Sequence, residues 1–401
     1  MTEQAITAAA IDAVTANTAK ALLNLRAETA SRALAELLVS RYWTLSDEQK
    51  TTFLTLLLTD FGADRGAVDD AISTYRDDPS EANTVALAEA ADSDRLPLFR
   101  ALNVAPSGID VLLDLRAELL KRRRTHPDLA PVDRDLKYLL NSWFNRGFLT
   151  LRQLDWQTPA HILESLIRSE AVHEIRGWGD LRRRLAPDRR SFGFFHAALP
   201  DEPIIFVEVA LVNGLAESIQ DVLDAPAPDV MPDDVDTAIF YSITNCQVGL
   251  RGISFGSFLI KQVTEQLSAE LPQLTTFSTL SPVPGLAGWL AENEPEIDTM
   301  DQRVMEQACA RYLVTARSRS MPHDAVARFH MRNGACLERI NWMGDTSDKG
   351  MGESHGVLVN YLYSGQDLAD NHDALTLDGI VTVSPEVAAL VGEAGSHRIR
   401  S

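Results

Sequence analysis

The chain has 401 residues, 45% of them hydrophobic, and a formal net charge of −20. That length suits two domains, each with enough apolar sequence for its own core. The acidity argues against nucleic acid or an anionic membrane as partner, so an anionic ligand would have to be held by local donors against the overall field.

Residues 1–188 read as a helical domain, expected to serve support or oligomerisation. Leu34, Leu37 and Leu38 share one helical face, and Leu112, Leu115 and Leu119 repeat the period. Ser46 with Gln49 forms a capping box ahead of Phe53, Leu54, Leu57 and Leu58. The strongest stripe is Leu136, Leu139, Leu140, Trp143 and Phe144, and Thr158-Pro159 marks a further helix start. Glycine and proline are sparse here, so short loops between helices imply a bundle. Two basic runs interrupt it: Lys121 to Arg124, and Arg182 to Arg184 with Arg189 and Arg190. They read either as solvated helix ends, where the dipole favours cations, or as an anion site.

The pattern changes near Pro187-Asp188, and residues 189–401 read as a second, mixed domain. Ser191 to His196 and Pro203 to Val212 are strand-like, the second ended by Asn213-Gly214. Asp224 to Asp236 is proline-rich and acidic, a surface loop with the makings of a lid. Ile239 to Thr244 is a buried strand, and the segment Arg251, Gly252, Ile253, Ser254, Phe255, Gly256, Ser257 turns the chain into a helix opening at Phe258. Unpaired N–H groups and a positive dipole at such a helix start suit a diphosphate. The plainer reading is a tight strand-to-helix connection without a ligand. The turn is neither a P-loop nor a dinucleotide fingerprint.

Thr275 to Thr279 is the next strand, running into Leu280-Ser281-Pro282-Val283-Pro284-Gly285. Residues 286–319 read as helices. Ala325 to Arg332 is a helix stopped by Asn333-Gly334, followed by Ala335 to Trp342, a glycine-rich loop over Asp345 to Gly356, and a strand from Val357 to Tyr363. From Gln366 onward a loop, a short strand and a final helix are expected. Cys246, Cys309 and Cys336 are too few and too scattered for a disulfide framework or a zinc site, so a reducing, cytoplasmic setting is expected. The sequence shows no basic-then-apolar secretory start, no apolar run of membrane-spanning length, and no peroxisomal address at Arg400-Ser401.

Four side chains come into question for chemistry. His330 lies on the apolar side of its helix, as a core histidine or a proton donor. Ser281 is a turn serine before proline, or a group standing beyond a strand's carboxyl end where α/β sites form. No nucleophile elbow accompanies it, so a hydrolase serine is not the reading. Tyr361 and Tyr363 share a face of a regular strand, and Tyr363 is the nearer to a cleft; both also read as sheet-packing aromatics.

The turn Arg251-x-x-Ser254-x-Gly256-Ser257 resembles the acyl-CoA pyrophosphate loop of the N-acetyltransferase (GNAT) superfamily, Arg/Gln-x-x-Gly-x-Gly/Ala, with Ser254 in place of one glycine. His330-x-x-x-Gly334 resembles that fold's late Tyr-x-x-x-Gly motif, where the tyrosine serves as a proton donor. A histidine there implies a donor with a pKa closer to neutral. Longer words are similar to the malonyl-CoA decarboxylase family: Ala238 to Ile243, Gly256 to Lys261, Phe277 to Gly285, Phe329 to Ala335 and Arg339 to Met343. The resemblance is strong over roughly residues 190–365 and looser before.

It implies an α+β chain, an all-helical N-terminal bundle followed by a GNAT-like mixed α/β catalytic domain with a splayed central sheet. It also implies conversion of malonyl-CoA to acetyl-CoA and carbon dioxide with no added cofactor and no metal, and a homo-oligomer through the helical domain. By the same resemblance Ser281 and His330 are catalytic, Tyr363 stands near the thioester, and Arg251 to Ser257 hold CoA. A family glutamate in that loop corresponds to Ser254, so this chain lacks its carboxylate. An acyltransferase that needs an acceptor, or a non-catalytic acyl-CoA sensor, would share the same binding features.

Overall fold

In the computed structural model the described residues are 13–24, 28–253, 258–318, 320–365, 367–392 and 396–400. The chain forms two compact units, Met1–Asn145 with Gln247–Ser254, and Arg146–Cys246 with Phe255–Ser401. The first is helical and the second is a mixed α/β domain, the order expected from the sequence. No helix among the described residues is long and apolar enough to cross a membrane.

In the helical unit the expected stripe is the core: Leu136, Leu139, Leu140 and Phe144 are buried beside Leu112, Leu115 and Leu119. Ser46 and Gln49 cap each other's helix start reciprocally. The single turn Val248–Leu250 belongs to this unit and packs on the helix Gly108–Arg122. Gly249 is obligatory there, because a Cβ would fall 2.2 Å from the carbonyl oxygen of Leu113. The buried Arg116 guanidinium closes the contact, donating to the Gly249 carbonyl and to Asp133.

The second unit is built on strands β1 (Leu149–Leu154), β2 (Arg189–His196), β3 (Ile205–Val212), β4 (Thr237–Asn245), β5 (Thr276–Thr279), β6 (Ser281–Pro282), β7 (Arg317–Ser318), β8 (Met321–Pro322), β9 (Cys336–Asn341), β10 (Leu358–Leu362), β11 (Val381–Val383) and β12 (His397–Ile399). One sheet runs β1-β2-β3-β4-β5-β10-β9-β11-β12, with β6 paired to β10; β7 and β8 form a separate ribbon. The helix Phe258–Glu270 connects β4 to its parallel neighbour β5. That parallel pairing is short, running only from Thr237↔Thr276 to Phe240↔Thr279. Beyond Phe240, β4 continues on β3 to Asn245, while the other strand turns away as β6, where Ser281 pairs with Val359 of β10. Pro282 and Pro284 cannot donate to a ladder, which helps keep the two strands apart. The splayed sheet implied by the resemblance is therefore present, with Ser281 just past the split.

The structure corrects several local readings. Residues 1–188 are not all helical: Leu149–Leu154 pairs along its whole length with β2. Only its two end residues are buried, so the strand lacks an alternating apolar pattern. Leu368–Asp378 and Asp348–Ser354 are helices where loops were expected. The second is a seven-residue, glycine-containing turn started by Ser347, whose hydroxyl accepts from Gly350 N–H.

Several basic side chains of both runs are engaged internally rather than presented to a ligand. Arg122 pairs with Glu118 and Asp47, and Lys121 with Asp47. Arg183 grips Asp188 through two bonds, Arg189 binds the same carboxylate, and Arg190 binds Glu270. Arg184 is the deepest. Its Nη1 is 2.8 Å from Glu208 Oε2 with both side chains 1% exposed, and Nη2 donates to the carbonyls of His173 and Glu174. The acidic loop is held by Arg183 donating to Ala225 O and by Asn213 donating to Asp234 O.

Arg184→Met should strand the Glu208 carboxylate in the core and cost about 3–5 kcal/mol in urea unfolding. Pairing it with Glu208→Leu should recover much of the loss. A single variant as stable as the parent would show that the pair contributes nothing to the fold.

Candidate active site

Two loops and one helix bring the expected residues together. The helix Ala325–Arg332 starts at Asp324, whose Oδ1 accepts from the N–H groups of Val326 and Ala327, both at 2.9 Å. The other oxygen of Asp324 accepts from Gly285 N–H at 3.3 Å, at the end of the loop that begins with Ser281. Tyr312 reaches the same oxygen at 3.4 Å. A Cβ at Gly285 would lie 2.2 Å from the Tyr312 hydroxyl, so only glycine lets the loop approach. One buried carboxylate thus ties the loop carrying Ser281 to the helix carrying His330. At the other end the helix stops at Gly334, which has a φ of +83° and where a Cβ would fall 2.1 Å from Leu368 O, so conformation and space both require glycine.

Ser281, His330 and Tyr363 are all buried and lie in one line. Ser281 Oγ is 3.2 Å from His330 Nε2, and His330 Nδ1 is 2.7 Å from the Tyr363 hydroxyl. The Tyr361 ring stacks on the imidazole at 4.6 Å with planes 19° apart. Phe329 meets the imidazole edge-on at 5.0 Å. Tyr361, ranked below Tyr363 from sequence, therefore belongs to the site as well. The two tyrosines share a face as alternation requires, Tyr361 meeting the ring's face and Tyr363 its Nδ1 edge.

Two further residues escaped the sequence reading. Thr279 Oγ1 accepts from Ser281 Oγ at 2.9 Å and from Tyr361 N–H at 3.1 Å. Asn360 donates to Thr279 O and Ala216 O while its Oδ1 accepts from Arg339 and Asn341, so its amide is fully bonded. The only signal for Thr279 was its place two residues before Ser281, a spacing that puts both on one face of a strand.

Burial pushes the His330 imidazole down to about 3. Both of its nitrogens meet hydroxyls, and the Tyr361 and Tyr363 phenols are themselves held well above their ordinary value by burial. At neutral pH the ring is uncharged and carries one proton. The expectation of a near-neutral histidine is corrected by this burial. A neutral imidazole still serves as a proton donor where the acceptor is strongly basic, as in enzymes whose histidine is kept uncharged. Tyr363 also lines a cavity of about 1050 Å³, shared with Ile260, Phe277, Leu362 and Arg332.

Of the expected binding loop, Arg251 and Gly252 are exposed and Ile253 is buried within the helical unit. Gly252 has a φ of +76°, as its glycine allows. Ser254, Phe255, Gly256 and Ser257 lie outside the described residues. Among the described residues no group of three or more His, Cys, Asp or Glu could hold a metal ion.

A family model described as the malonyl-CoA decarboxylase C-terminal domain matches residues 147–301 and 291–400, and one for the N-terminal domain of that enzyme matches 61–144. The mitochondrial malonyl-CoA decarboxylase of Anser anser anser is 34% identical, with 86% of this chain and 80% of that protein covered. The Mus musculus protein of the same name is 31% identical, with 88% and 84% covered. Among solved structures, malonyl-CoA decarboxylase from Agrobacterium vitis is 45% identical with a TM-score of 0.88, covering 94% of this chain and 100% of that one. The Rhodopseudomonas palustris enzyme is 43% identical with a TM-score of 0.88, covering 94% and 98%.

In the free protein the His330 ring should show no protonation step between about pH 5 and 8 in ¹⁵N-resolved NMR; a midpoint near the ordinary histidine value would contradict its burial. The same shift has a stability consequence. His330 is pushed down to about 3 and His173 to about 4, from 6.5, so the unfolded chain binds more protons in that window. Stability should therefore fall as pH drops from 6.5 toward 4, and His330→Asn should flatten the slope.

Proposed function

The chain belongs to the malonyl-CoA decarboxylase family, and we propose that it performs this reaction through a thioester enolate protonated by His330, with Ser281 anchoring the malonyl carboxylate. It is a carboxy-lyase that converts malonyl-CoA to acetyl-CoA and carbon dioxide.

The bond between the α-carbon and the carboxylate breaks, carbon dioxide leaves, and the electron pair moves into the thioester as an enolate. The thioester carbonyl is the electron sink, so the proposed reaction needs no added cofactor. What the protein must do is hold the carboxylate out of the carbonyl plane and deliver one proton to the carbanion carbon. A hydroxyl donor fixed at the carboxylate aligns the breaking bond. His330 then gives up its proton to carbon, and Tyr363 stands against Nδ1 to offset the charge that develops on the ring. The observation that carries this reading is the 3.2 Å meeting of Ser281 and His330, residues 49 apart in sequence, just past the split of β4 and β5.

The carrier's diphosphate is assigned by the family resemblance to Arg251 through Ser257. Arg251 offers an exposed guanidinium there. That local cation matters in a chain of net charge −20.

Pure protein given malonyl-CoA alone should release acetyl-CoA and carbon dioxide, with no stimulation by an amine or thiol acceptor. An acyltransferase would stay idle until the acceptor arrived, and a sensor would bind without product. His330→Asn should lower kcat by about 10²–10⁴-fold while leaving CoA binding intact. Ser281→Ala should lower kcat and weaken malonyl-CoA more than acetyl-CoA. Since the donor is the neutral ring, kcat/KM should show no fall from His330 deprotonation as pH rises through about 6 to 8; a fall there would return the imidazolium to the mechanism.

A further inference from the structure

We propose that Thr279 is a positioning residue that fixes the proton of His330 on Nε2, the nitrogen facing Ser281. The protons along one hydrogen-bonded line can be counted. Thr279 is the last residue of β5 and is fully buried. It stands across from Tyr361, since β10 keeps one register from Leu362↔Ser278 on β5 to Val359↔Ser281 on β6. Tyr361 N–H donates at 3.1 Å to the Thr279 side-chain oxygen, while the Thr279 carbonyl is taken by Asn360 Nδ2 at 2.8 Å. A backbone N–H can only donate. The threonine oxygen thereby accepts one bond from the sheet and keeps a second lone pair for Ser281.

Ser281 Oγ lies 2.9 Å from that oxygen and donates to it. A serine hydroxyl has one proton; whether it goes to Thr279 in the free protein or to the malonyl carboxylate in the complex, toward His330 the oxygen presents lone pairs alone. The contact of 3.2 Å between Ser281 Oγ and His330 Nε2 then requires the hydrogen to sit on Nε2. Nδ1 is left as the acceptor, and the Tyr363 hydroxyl at 2.7 Å fills it. The line runs in one direction: Tyr363 to His330, His330 to Ser281, Ser281 to Thr279. In a neutral ring only one nitrogen holds a proton, so this direction decides whether the acid faces the Ser281 side. Without the threonine hydroxyl, Ser281 is free to donate to Nε2. The ring then carries its proton on Nδ1, toward Tyr363, and has none to give on the other side.

The link from tautomer to turnover rests on the decarboxylation proposed above; the tautomer itself does not. The test compares Thr279→Val, which keeps the shape and removes the oxygen, with Thr279→Ser, which keeps the oxygen. ¹⁵N-histidine NMR of the full chain reads the tautomer directly. With nine histidines in the chain, the His330 signals are assigned by their loss in His330→Asn.

The parent and Thr279→Ser should show a protonated Nε2 and an unprotonated Nδ1, and Thr279→Val should shift the proton to Nδ1. With malonyl-CoA, Thr279→Val should lose roughly 10- to 100-fold in kcat with KM little changed, less than the full loss that a wrong tautomer causes in a catalytic triad. Thr279→Ser should stay within about 3-fold of the parent, a change of less than one hydrogen bond.

A parent carrying its proton on Nδ1 would overturn the proposal. So would a valine variant that keeps both tautomer and rate, or a serine variant as impaired as valine, which would assign the effect to packing. Thermal unfolding of both variants separates a loss of fold from a loss of proton placement. If the parent releases no acetyl-CoA, the proposed function fails, and the NMR comparison still decides the role of Thr279.

Discussion

A sealed imidazole can hold one proton, and the site is organised around where that proton sits. His330 lies between the stacked ring of Tyr361 and the edge of Phe329, with a hydroxyl at each nitrogen. Hydroxyls bond a neutral ring well but stabilise an imidazolium far less than a carboxylate would. Burial therefore wins, and the ring stays uncharged. A neutral imidazole is a weak acid, unable to protonate a thiolate or an ordinary amine at useful cost. A carbanion adjacent to a thioester is basic enough to take its proton. The electrostatics of this one side chain thus favour chemistry at carbon over transfer of an acyl group to a heteroatom.

Such a site needs its partners fixed more tightly than a charged one, because no long-range attraction pulls them into place. Two buried polar side chains do this work. Asp324 joins the helix of His330 to the loop of Ser281 by accepting from three backbone N–H groups. Asn360 joins β10 to the end of β5 and to the backbone carbonyl of Ala216, with all four of its hydrogen-bonding positions used. Each bond is worth about 1 kcal/mol net, but an unmade one in the core costs more. The networks therefore specify a single arrangement. Gly285 and Gly334 permit it sterically, one at a close approach and one at a positive φ.

The gross order of the chain was legible, and so were Ser281, His330 and Tyr363, which the fold brings together. The helix of His330 announced itself by its apolar face and its Asn333-Gly334 stop, and Ser281 by its place beyond a strand end. What could not be read was the pairing. The irregularity between Asn360 and Tyr361 has no signature in sequence, since either residue fits a regular strand. Nor does the sequence mark Thr279 as the side chain that takes Tyr361 N–H across the neighbouring strand pair. Leu149–Leu154 was hidden because only its ends are buried, and a strand recognised by alternation needs an inner face. The basic runs misled for a related reason. Arg184 and Arg189 look like surface cations until Glu208 and Asp188, distant or adjacent in sequence, are seen to neutralise them in the core.

That neutralisation bears on how an acidic chain handles an acidic substrate. Arg184 and Arg189 are bound in buried pairs and cannot offset a ligand's charge without leaving carboxylates stranded. In the proposed reaction the malonyl carboxylate instead meets the hydroxyl of Ser281. A hydroxyl orients an anion without binding it as strongly as a guanidinium would. This difference favours turnover. The negative charge leaves the carboxylate as carbon dioxide departs and spreads into the thioester, so a strong ion pair at the carboxylate would stabilise the ground state more than the transition state. Strong binding belongs at the diphosphate, which does not change charge during the reaction, and weak, directional contacts belong at the group that is lost.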